Sequence, residues 1–514
     1  MVDNTYQYND YVVSDKQEDM LQKRLSGVSE GTPDYQKLRR KLQDKMITNR
    51  GVCWDSKGVV YIDSMKFSKY IMKRMKIVKV LDALYIYNIK EHHYEQVPID
   101  IVASFIMSVM SEYEESCYTS VREDELLTLI SRQVKNMKQL KETRGFIVMK
   151  NGTYEIENHT FKSTFNRCIF NLSSLEFSYD PIAKCPKFLA FLDDIFDHNK
   201  KLIKLMQQIF GYTFSYGDVK MHKLFYFYGA GRNGKGVLAK ILTDLHGEQN
   251  VSAVFLDELS NRFSTSNLVG KVLNISPEGK QSLILDTALI KSLTAGDTVM
   301  IEKKYQNAYP AKLATKFIVL SNYALRTDDD SFGFQQRIIP IPFRKQYLEL
   351  PYDGIRKEGV CYQDPNLYEN LKVELPGIFN WAMEGLRDLQ EHNWVLTECT
   401  EVKELRQHFA LQNKPVRLFF RSCLEVVPED EAIKSSDIAQ AFRRWTMKNN
   451  IPSLGFGNAA EFHQEFRKVM EQEGLRPTTK KRKGYDHYYG IRLKEDFVSI
   501  VSYSDIGCKE KANE

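Results

Sequence analysis

The feature that most constrains the fold is a glycine-rich loop between an apolar run and a helical pattern. Residues 223–228 read KLFYFY, residues 229–236 read GAGRNGKG, and VLAKILTDLHG follows. The spacing GxxxxGK between a strand and a helix is typical of a phosphate loop. Its glycines let backbone N–H groups converge on phosphate oxygens, and the helix N-terminus adds positive potential. The alternative is a plain glycine turn with an idle lysine. The predicted phosphate-binding residues are Gly229, Ala230, Gly231, Arg232, Asn233, Gly234, Lys235, Gly236 and Val237.

A carboxylate follows the next buried run. Residues 271–278 read KVLNISPE, a short strand that ends in Glu278. We predict that Glu278 orients an attacking water and helps to hold Mg²⁺. The usual Ser or Thr after the loop lysine is replaced by Gly236, and Pro277 stands where a second acid is common. The metal would therefore rest on water, phosphates and Glu278, unless Glu278 is an ordinary surface acid.

Two further polar residues flank later strands. Residues 313–322 read LATKFIVLSN, so Asn322 lies at a strand end where an amide can hydrogen-bond the γ-phosphate, although a turn asparagine would look the same. In QQRIIPIPF, Arg337 precedes an apolar strand. In a ring of subunits this arginine would stabilise the transition state at a neighbour's nucleotide, with Arg326 as the second candidate.

Residues 296–312 predict a β-hairpin whose tip interleaves lysines with tyrosines. This composition suits a loop that tracks a nucleic-acid backbone, with ammonium groups on phosphates and rings against bases. A solvated hairpin is the alternative. The predicted DNA contacts are Lys303, Lys304, Tyr305 and Lys312.

The C-terminal segment is basic. Residues 434–494 hold 13 Lys and Arg against 6 Asp and Glu, a local charge of +7 in a chain of +5, so the remaining 453 residues sum to −2. Helices over 437–449 and 459–472, followed by a basic turn, predict a winged helix-turn-helix, with a helical lid as the alternative. We expect Ile438, Ala441, Phe442, Trp445 and Met447 to be core. The predicted DNA contacts are Arg467, Lys468, Lys480, Lys481, Arg482 and Lys483.

Composition places the chain among soluble proteins. The 514 residues suggest three or four domains, and the eight cysteines show no zinc-ligand spacing, which fits a reducing compartment. The N-terminus lacks a signal-peptide pattern, and no apolar run is long enough to span a bilayer. We therefore predict a cytoplasmic protein without a membrane partner.

In this order, GAGRNGKG, GKVLNISPE, AGDTVMIEKKYQ, FIVLSN and QQRIIPIPF resemble the superfamily-3 helicases of the phage and plasmid primase-helicase type. The chain is most similar there to the Rep replication initiators of staphylococcal pathogenicity islands. The resemblance implies an AAA+ P-loop ATPase core that uses ATP and Mg²⁺. It also implies a homo-hexamer acting on single- and double-stranded origin DNA, with host replication proteins as further partners.

We divide the chain into an N-terminal α-rich region at 1–150, a helical collar at 151–216 and the ATPase core at 217–345. A helical lid and linker at 346–429, a winged helix at 430–495 and a tail at 496–514 complete the division. The leading hypothesis is a DNA helicase and replication initiator of a mobile element. The alternatives are an ATP-switched origin-melting initiator that recruits a separate helicase, and a primase-helicase, for which residues 1–150 offer no active site.

Overall fold

The fold was examined in a computed structural model. It describes residues 6–494 except 27–32, 57–58, 81–82, 113–116, 135–144, 217–218, 280–282, 285–286, 305–306, 328, 330, 350–359, 413–414, 429–430, 449–458, 477–478 and 483. Within these ranges, none of the helices combines the length and apolarity that spanning a bilayer requires.

The N-terminal unit consists of helices around two small antiparallel sheets, β1–β2 and β3–β4–β5. Side chains of Asp63 and Thr119 cap helices α4 and α6 by accepting backbone N–H bonds. One apolar core joins α4, α5 and α6 to the sheets. The elements are α1 (Tyr8–Tyr11), α2 (Gln17–Leu25), α3 (Pro33–Arg50), β1 (Val52–Trp54), β2 (Val60–Ile62), α4 (Ser64–Arg74), β3 (Ile77–Val80), β4 (Ala83–Tyr87), β5 (Tyr94–Gln96), α5 (Ile99–Ser111) and α6 (Ser120–Gln133).

A three-stranded antiparallel sheet and two helices precede the glycine-rich loop. The sheet contains β6 (Phe146–Met149), β7 (Gly152–Glu155) and β8 (Thr160–Lys162). The helices are α7 (Pro186–Ile195) and α8 (Lys200–Thr213), which confirms the prediction of two packed helices. Asn199 caps α8 by accepting from two backbone N–H groups.

A five-stranded parallel sheet forms the centre, in the order β10–β11–β15–β9–β17. Parallel strands buried on both faces explain the continuous apolar runs in the sequence, and the α/β prediction is confirmed. The elements are β9 (Leu224–Tyr228), α9 (Lys235–His246), β10 (Val251–Ser252), β11 (Leu273–Ser276), β12 (Leu283–Ile284), α10 (Thr287–Ala295), β13 (Thr298–Ile301), β14 (Tyr309–Lys312), β15 (Lys316–Ser321), β16 (Arg326–Thr327), α11 (Phe332–Gln335) and β17 (Ile338–Pro342).

Three helices follow the sheet: α12 (Leu367–Lys372), α13 (Leu375–Glu391) and α14 (Thr400–Gln412). Helices α8 and α13 approach closely, because a Cβ added at Gly211 would lie 2.3 Å from the backbone nitrogen of Leu386, and one at Gly385 would lie 2.2 Å from the carbonyl oxygen of Gln207. Helix α14 packs against β17. The helices before and after the sheet therefore share one core with it.

The C-terminal unit has the order helix, two strands, two helices, three strands. The core takes in Phe419 and Phe420 from its first helix. Residues Ile438, Ala441, Phe442 and Trp445 are buried as predicted, but Met447 is 77% exposed, so its assignment to the core is wrong. The elements are α15 (Pro415–Cys423), β18 (Leu424–Val426), β19 (Ala432–Lys434), α16 (Ser435–Lys448), α17 (Ala459–Gln472), β20 (Lys480–Arg482), β21 (Tyr485–Tyr489) and β22 (Ile491–Leu493).

Candidate nucleotide and nucleic-acid sites

The glycine-rich loop depends on two glycines for different reasons. Gly234 has φ = 90°, and a Cβ there would lie 3.1 Å from the Ile195 side chain of α7. A Cβ at Gly229 would lie 2.1 Å from the carbonyl oxygen of Phe343. Gly231 has open space around its Cβ position. The loop is thus pressed between the end of β17 and helix α7, which fixes its path before helix α9 begins.

Lys235 is 1% exposed and its ammonium is surrounded by oxygens. Its Nζ donates to the carbonyl oxygen of Gly229 at 2.6 Å, to Oδ1 of Asn233 at 3.1 Å and to Oδ1 of Asn322 at 2.9 Å. Burial lowers the pKa of Lys235, and the neighbouring Glu278 carboxylate opposes that shift. The ammonium occupies the inside of the loop, where it holds the loop closed by its own carbonyl groups.

Glu278 and Asn322 lie beside this lysine. Oε1 of Glu278 is 3.1 Å from Nζ of Lys235, and Nδ2 of Asn322 donates to Oε2 of Glu278 at 2.9 Å. The grouping follows from the sheet, since β11, β15 and β9 are neighbouring parallel strands whose carboxyl ends share one edge. Three residues singled out in the sequence are therefore brought into direct contact, with Glu278 still 41% exposed.

The donors available for a metal at this edge are few. Among the described residues, no group of three or more His, Cys, Asp or Glu side chains is placed to hold a metal ion. Gly236 is exposed, with nothing within 4 Å of its Cβ position. Mg²⁺ accepts one or two carboxylates when phosphates and waters supply the other ligands. Glu278 alone thus fits a magnesium ion that a nucleotide brings with it, and does not fit an all-protein metal site.

A cavity of about 430 Å³ opens next to the first residues of the loop. Its wall combines the end of β9, the segment after β17 and helix α14. The size is within the range of small-molecule pockets. The lining residues are Tyr228, Gly229, Ala230, Pro342, Phe343, Arg344, Glu404, Leu405 and His408.

Arg337 lies at the opposite edge of the sheet from Lys235. It precedes β17, whose first residue pairs with Leu224, the first residue of β9. Five strand residues at about 3.3 Å each separate it from the loop. Its Nη1 donates to the carbonyl oxygen of Gly333 at 2.7 Å, while its Nε is buried without a hydrogen-bond partner within the described residues. Arg337 therefore does not reach the loop of its own chain. The side chain of Arg326 lies outside the described residues.

Two cations that the sequence reading missed lie near Arg337. Lys223 donates to the carbonyl oxygen of Gln336 at 2.6 Å, and Nε of Arg406 on α14 is also buried without a partner in the described part of the chain. Burial, and then the charges of Arg406 and Arg337, lower the pKa of Lys223. Three half-buried cations thus converge, with no acid among the causes of that shift.

The lysine-bearing segment forms the predicted hairpin, with β13 and β14 antiparallel. Lys303, Lys304 and Lys312 are exposed, whereas Tyr305 lies outside the described residues. Glu302, next to the tip, forms a two-pronged ion pair with Arg262, with Nε to Oε1 at 2.9 Å and Nη2 to Oε1 at 2.6 Å. The hairpin is therefore anchored at its base while its lysines face solvent.

The basic residues of the C-terminal unit lie on two elements. Arg467 and Lys468 are exposed on α17, and Lys480 and Lys481 are exposed on β20. Nζ of Lys468 is 3.1 Å from Oε2 of Glu465. The side chain of Arg482 and all of Lys483 lie outside the described residues. The helix and the hairpin thus present separate cationic surfaces.

Comparison with known proteins gives two family matches. Residues 37–197 match the model described as D5 N terminal like, and residues 227–337 match a family of unknown function, DUF5906. The first match runs from α3 to just past α7, and the second from β9 to the residue before β17.

Three solved structures of the NrS-1 C-terminal region are similar to the chain at 13% sequence identity. The A form apo structure gives a TM-score of 0.45 and covers 82% of this chain and 98% of that one. The A form of residues 305–718 gives 0.46, with 84% and 100% covered, and a further apo structure gives 0.44, with 84% and 99%.

Proposed function

We propose that the chain is an ATP-dependent DNA helicase and replication initiator, built on an AAA+ core of the superfamily-3 type. The observation that carries the proposal is the contact of Lys235, Asn322 and Glu278 at the carboxyl edge of a parallel sheet, directly beside a phosphate loop. The match of residues 37–197 to the D5 N terminal like model supports a relationship to phage-type primase-helicases and a role in replication.

Nucleotide binding would exchange the partners of Lys235. Its ammonium bonds to the carbonyl oxygens of the loop, and β- and γ-phosphate oxygens are stronger acceptors for the same charge. Once Lys235 turns to the phosphates, Glu278 loses its cation and is free to accept a proton from the attacking water. Asn322 contacts both groups and thus links phosphate occupancy to the position of the carboxylate. Mg²⁺, bridging the phosphates, would neutralise charge there, with Glu278 as its protein ligand.

The cavity beside Gly229 suits the base of the nucleotide. It adjoins the loop, and its wall offers the flat or apolar surfaces of Tyr228, Phe343 and Leu405 with the polar Arg344 and Glu404 at its rim. Small-molecule sites combine apolar walls with a few placed polar groups in this way. Helix α14 would thus close over the nucleoside.

The cations Arg337, Lys223 and Arg406 support a ring in which each nucleotide lies between two subunits. They lie across the sheet from the chain's own loop and have buried, unpartnered guanidinium nitrogens. A neighbouring subunit's γ-phosphate would supply the missing acceptors, which is the role of an arginine finger. We propose a homo-hexamer closed by this contact.

Two surfaces would hold DNA. The β13–β14 hairpin presents Lys303, Lys304 and Lys312 to solvent, which suits a single strand in a ring channel. The C-terminal unit has the element order of a winged helix, in which α17 would enter the major groove of origin DNA and the β20–β21 hairpin would contact backbone. Host replication proteins would act at the same origin.

The alternative is an initiator that hydrolyses ATP once per assembly and leaves unwinding to another helicase. Gly236 and Pro277 favour it, because the magnesium ligands they replace are those of efficient turnover. Steady-state hydrolysis separates the two, since a motor turns over continuously and faster with single-stranded DNA.

The deciding experiment is unwinding of a forked duplex with ATP and Mg²⁺. We compare the wild type with Lys235→Ala and Arg337→Ala, and use Arg387→Ala as the control because Arg387 is an exposed arginine of α13. Strand separation that both site variants lose and the control keeps is the expected result. A wild type that binds ATP and DNA but separates no strands would replace the helicase by the assembly switch.

A further inference from the structure

The N-terminal unit contains a second basic segment, stronger than the C-terminal one. Residues 33–79 hold 13 Lys and Arg against 4 Asp and Glu, a net charge of +9 within 47 residues. Together with the +7 of residues 434–494, this leaves the other 406 residues at −11. The positive charge is therefore concentrated at both ends of the chain, and the prediction of a single C-terminal concentration is wrong.

The structure places most of these cations on two helices that touch. Helices α3 and α4 are in contact, and a Cβ at Gly51 would lie 2.7 Å from the backbone nitrogen of Phe67, so the end of α3 is pressed against the first turn of α4. We call the exposed cations of the two helices the lysine surface. Its members are Lys37, Arg40, Lys41, Lys45, Lys66, Lys69 and Lys73.

The acids nearby are committed to other cations. Asp15 holds the buried Arg50, with Oδ2 2.7 Å from Nη1, and Glu112 holds the buried Arg74. Only Lys66 of the lysine surface has an ion-pair partner within the described residues, where its Nζ is 3.2 Å from Oδ2 of Asp63. The fold thus neutralises the arginines that it buries and leaves the surface lysines uncompensated.

The spacing of these lysines is unfavourable for the isolated helices. Lys37, Lys41 and Lys45 follow one another at i, i+4, as do Lys69 and Lys73. Each like-charge pair at this spacing costs an amount similar to the 0.2–0.5 kcal/mol, roughly, that an opposite pair contributes. A merely solvated helix face would alternate its charges. A stripe of one sign on each of two packed helices fits a partner that carries regularly spaced negative charge.

We propose that the lysine surface binds the phosphodiester backbone of DNA, independently of the nucleotide site, the central hairpin and the C-terminal unit. Successive lysines on one helix face are about 6 Å apart, since four residues rise 1.5 Å each. That spacing allows neighbouring ammonium groups to contact successive phosphates. Tyr61, 48% exposed and close enough to Lys66 for their charges to interact, adds an aromatic ring at the end of the α4 stripe.

The test uses the full-length chain and measures binding of a labelled single strand and a labelled duplex across a salt series. The variant carries Lys41→Gln, Lys69→Gln and Lys73→Gln. Its matched control carries Lys90→Gln, Lys162→Gln and Lys403→Gln, which removes the same charge from exposed lysines that already have acidic partners. Thermal unfolding of both variants checks that each remains folded.

Each lost phosphate contact lowers the slope of log K against log salt by about 0.7 for a single strand and about 0.9 for duplex DNA. Loss of three contacts therefore reduces the slope by about 2 to 3. The loss should appear again in a background with Lys480→Gln and Lys481→Gln, because the two surfaces are separate. The DNA form with the larger slope change identifies the natural substrate. If the variant and its matched control gave the same affinities and slopes on both DNAs, the lysine surface would not bind DNA.

Discussion

Nδ2 of Asn322 donates to Oε2 of Glu278 at 2.9 Å, and the other atom of the same amide, Oδ1, accepts from Lys235 at 2.9 Å. One side chain therefore holds the carboxylate and the ammonium at the same time. Because β15 lies between β9 and β11, no other strand of the sheet offers a residue in that position. This geometry predicts which step each of the three side chains affects.

Replacing Glu278 with Gln should abolish turnover without abolishing nucleotide binding. The amide keeps a hydrogen-bonding group near Asn322 but cannot accept a proton, and such a base contributes about 10²–10⁴-fold to rate. We expect ATP hydrolysis to fall by that factor while ATP affinity changes little. The measurements are phosphate release and nucleotide binding at equilibrium, with the exposed Glu369 of α12 changed to Gln as the control. A variant that hydrolyses ATP normally would remove Glu278 from the mechanism.

The two crowded and open glycines of the loop provide a matched pair. Gly229→Ala places a methyl group 2.1 Å from the carbonyl oxygen of Phe343, so the loop must move and ATP binding should be lost. Gly231→Ala meets open space and should retain binding within a few-fold. Equal affinities in the two variants would show that the loop conformation does not determine binding. Far-UV circular dichroism checks that both variants fold.

Gly236→Ser should improve the magnesium site. The position after Lys235 has nothing within 4 Å of a Cβ, so a serine enters without a clash and brings the hydroxyl that phosphate-loop enzymes use on Mg²⁺. We expect half-maximal ATP hydrolysis at a several-fold lower Mg²⁺ concentration. The control is Gly236→Ala, which adds the same carbon without the oxygen. If alanine and serine gave the same magnesium dependence, the metal would not be bound near this position.

The nucleotide site was the most predictable part of the molecule. Lys235, Glu278 and Asn322 each follow or end an apolar run, and parallel strands of one sheet bring such residues to a common edge. The order of the strands was not predictable, because the short strand β10 and the inserted hairpin β13–β14 carry no signal for where β15 enters the sheet. The predicted residues thus lie together, while their roles remain proposals.

Long-range packing explains what the sequence did not indicate. Lys223 and Arg406 are 183 residues apart and meet because α14 packs on β17, which no local pattern predicts. Met447 was assigned to the core by its apolar character. Two residues along a helix turn the side chain by about 200°, so it points away from the face that buries Trp445. The basic residues of α3 and α4 carried a signal in their charge count that a search confined to the C-terminus missed.

His246 should make the fold sensitive to acid. Its ring is fully buried, with Nε2 2.8 Å from Oγ1 of Thr213 and Nδ1 2.8 Å from the hydroxyl of Tyr216. Burial lowers its pKa to about 3. The unfolded chain binds this proton near pH 6.5 and the folded chain does not, so stability falls as the pH drops from about 6.5 towards 3.

The expected slope for that single proton approaches about 1.4 kcal/mol of unfolding free energy per pH unit. Urea unfolding at several pH values measures it. The His246→Gln variant has a lower stability at pH 7 but should lose this part of the slope between pH 6 and 4. A variant with an unchanged slope would assign the acid sensitivity to other groups.

The ring model predicts that two inactive variants restore activity to each other. Lys235→Ala disables the site within its own subunit, whereas Arg337→Ala disables the site of the neighbour. In a mixed ring, an Arg337→Ala subunit still has its lysine and receives an intact Arg337 from an adjacent Lys235→Ala subunit. Random mixing at equal amounts makes about one quarter of the interfaces complete, because each interface joins two different surfaces.

ATP hydrolysis by the mixture should therefore recover towards about one quarter of the wild-type rate, while each variant alone stays inactive. A mixture of Lys235→Ala with the double variant Lys235→Ala/Arg337→Ala is the control, since it contains no complete interface. Recovery must also depend on protein concentration, because the complete site forms only on assembly. If Arg337→Ala alone kept full activity, or if mixing restored nothing, the cation cluster of Arg337, Lys223 and Arg406 would not serve a neighbour's nucleotide.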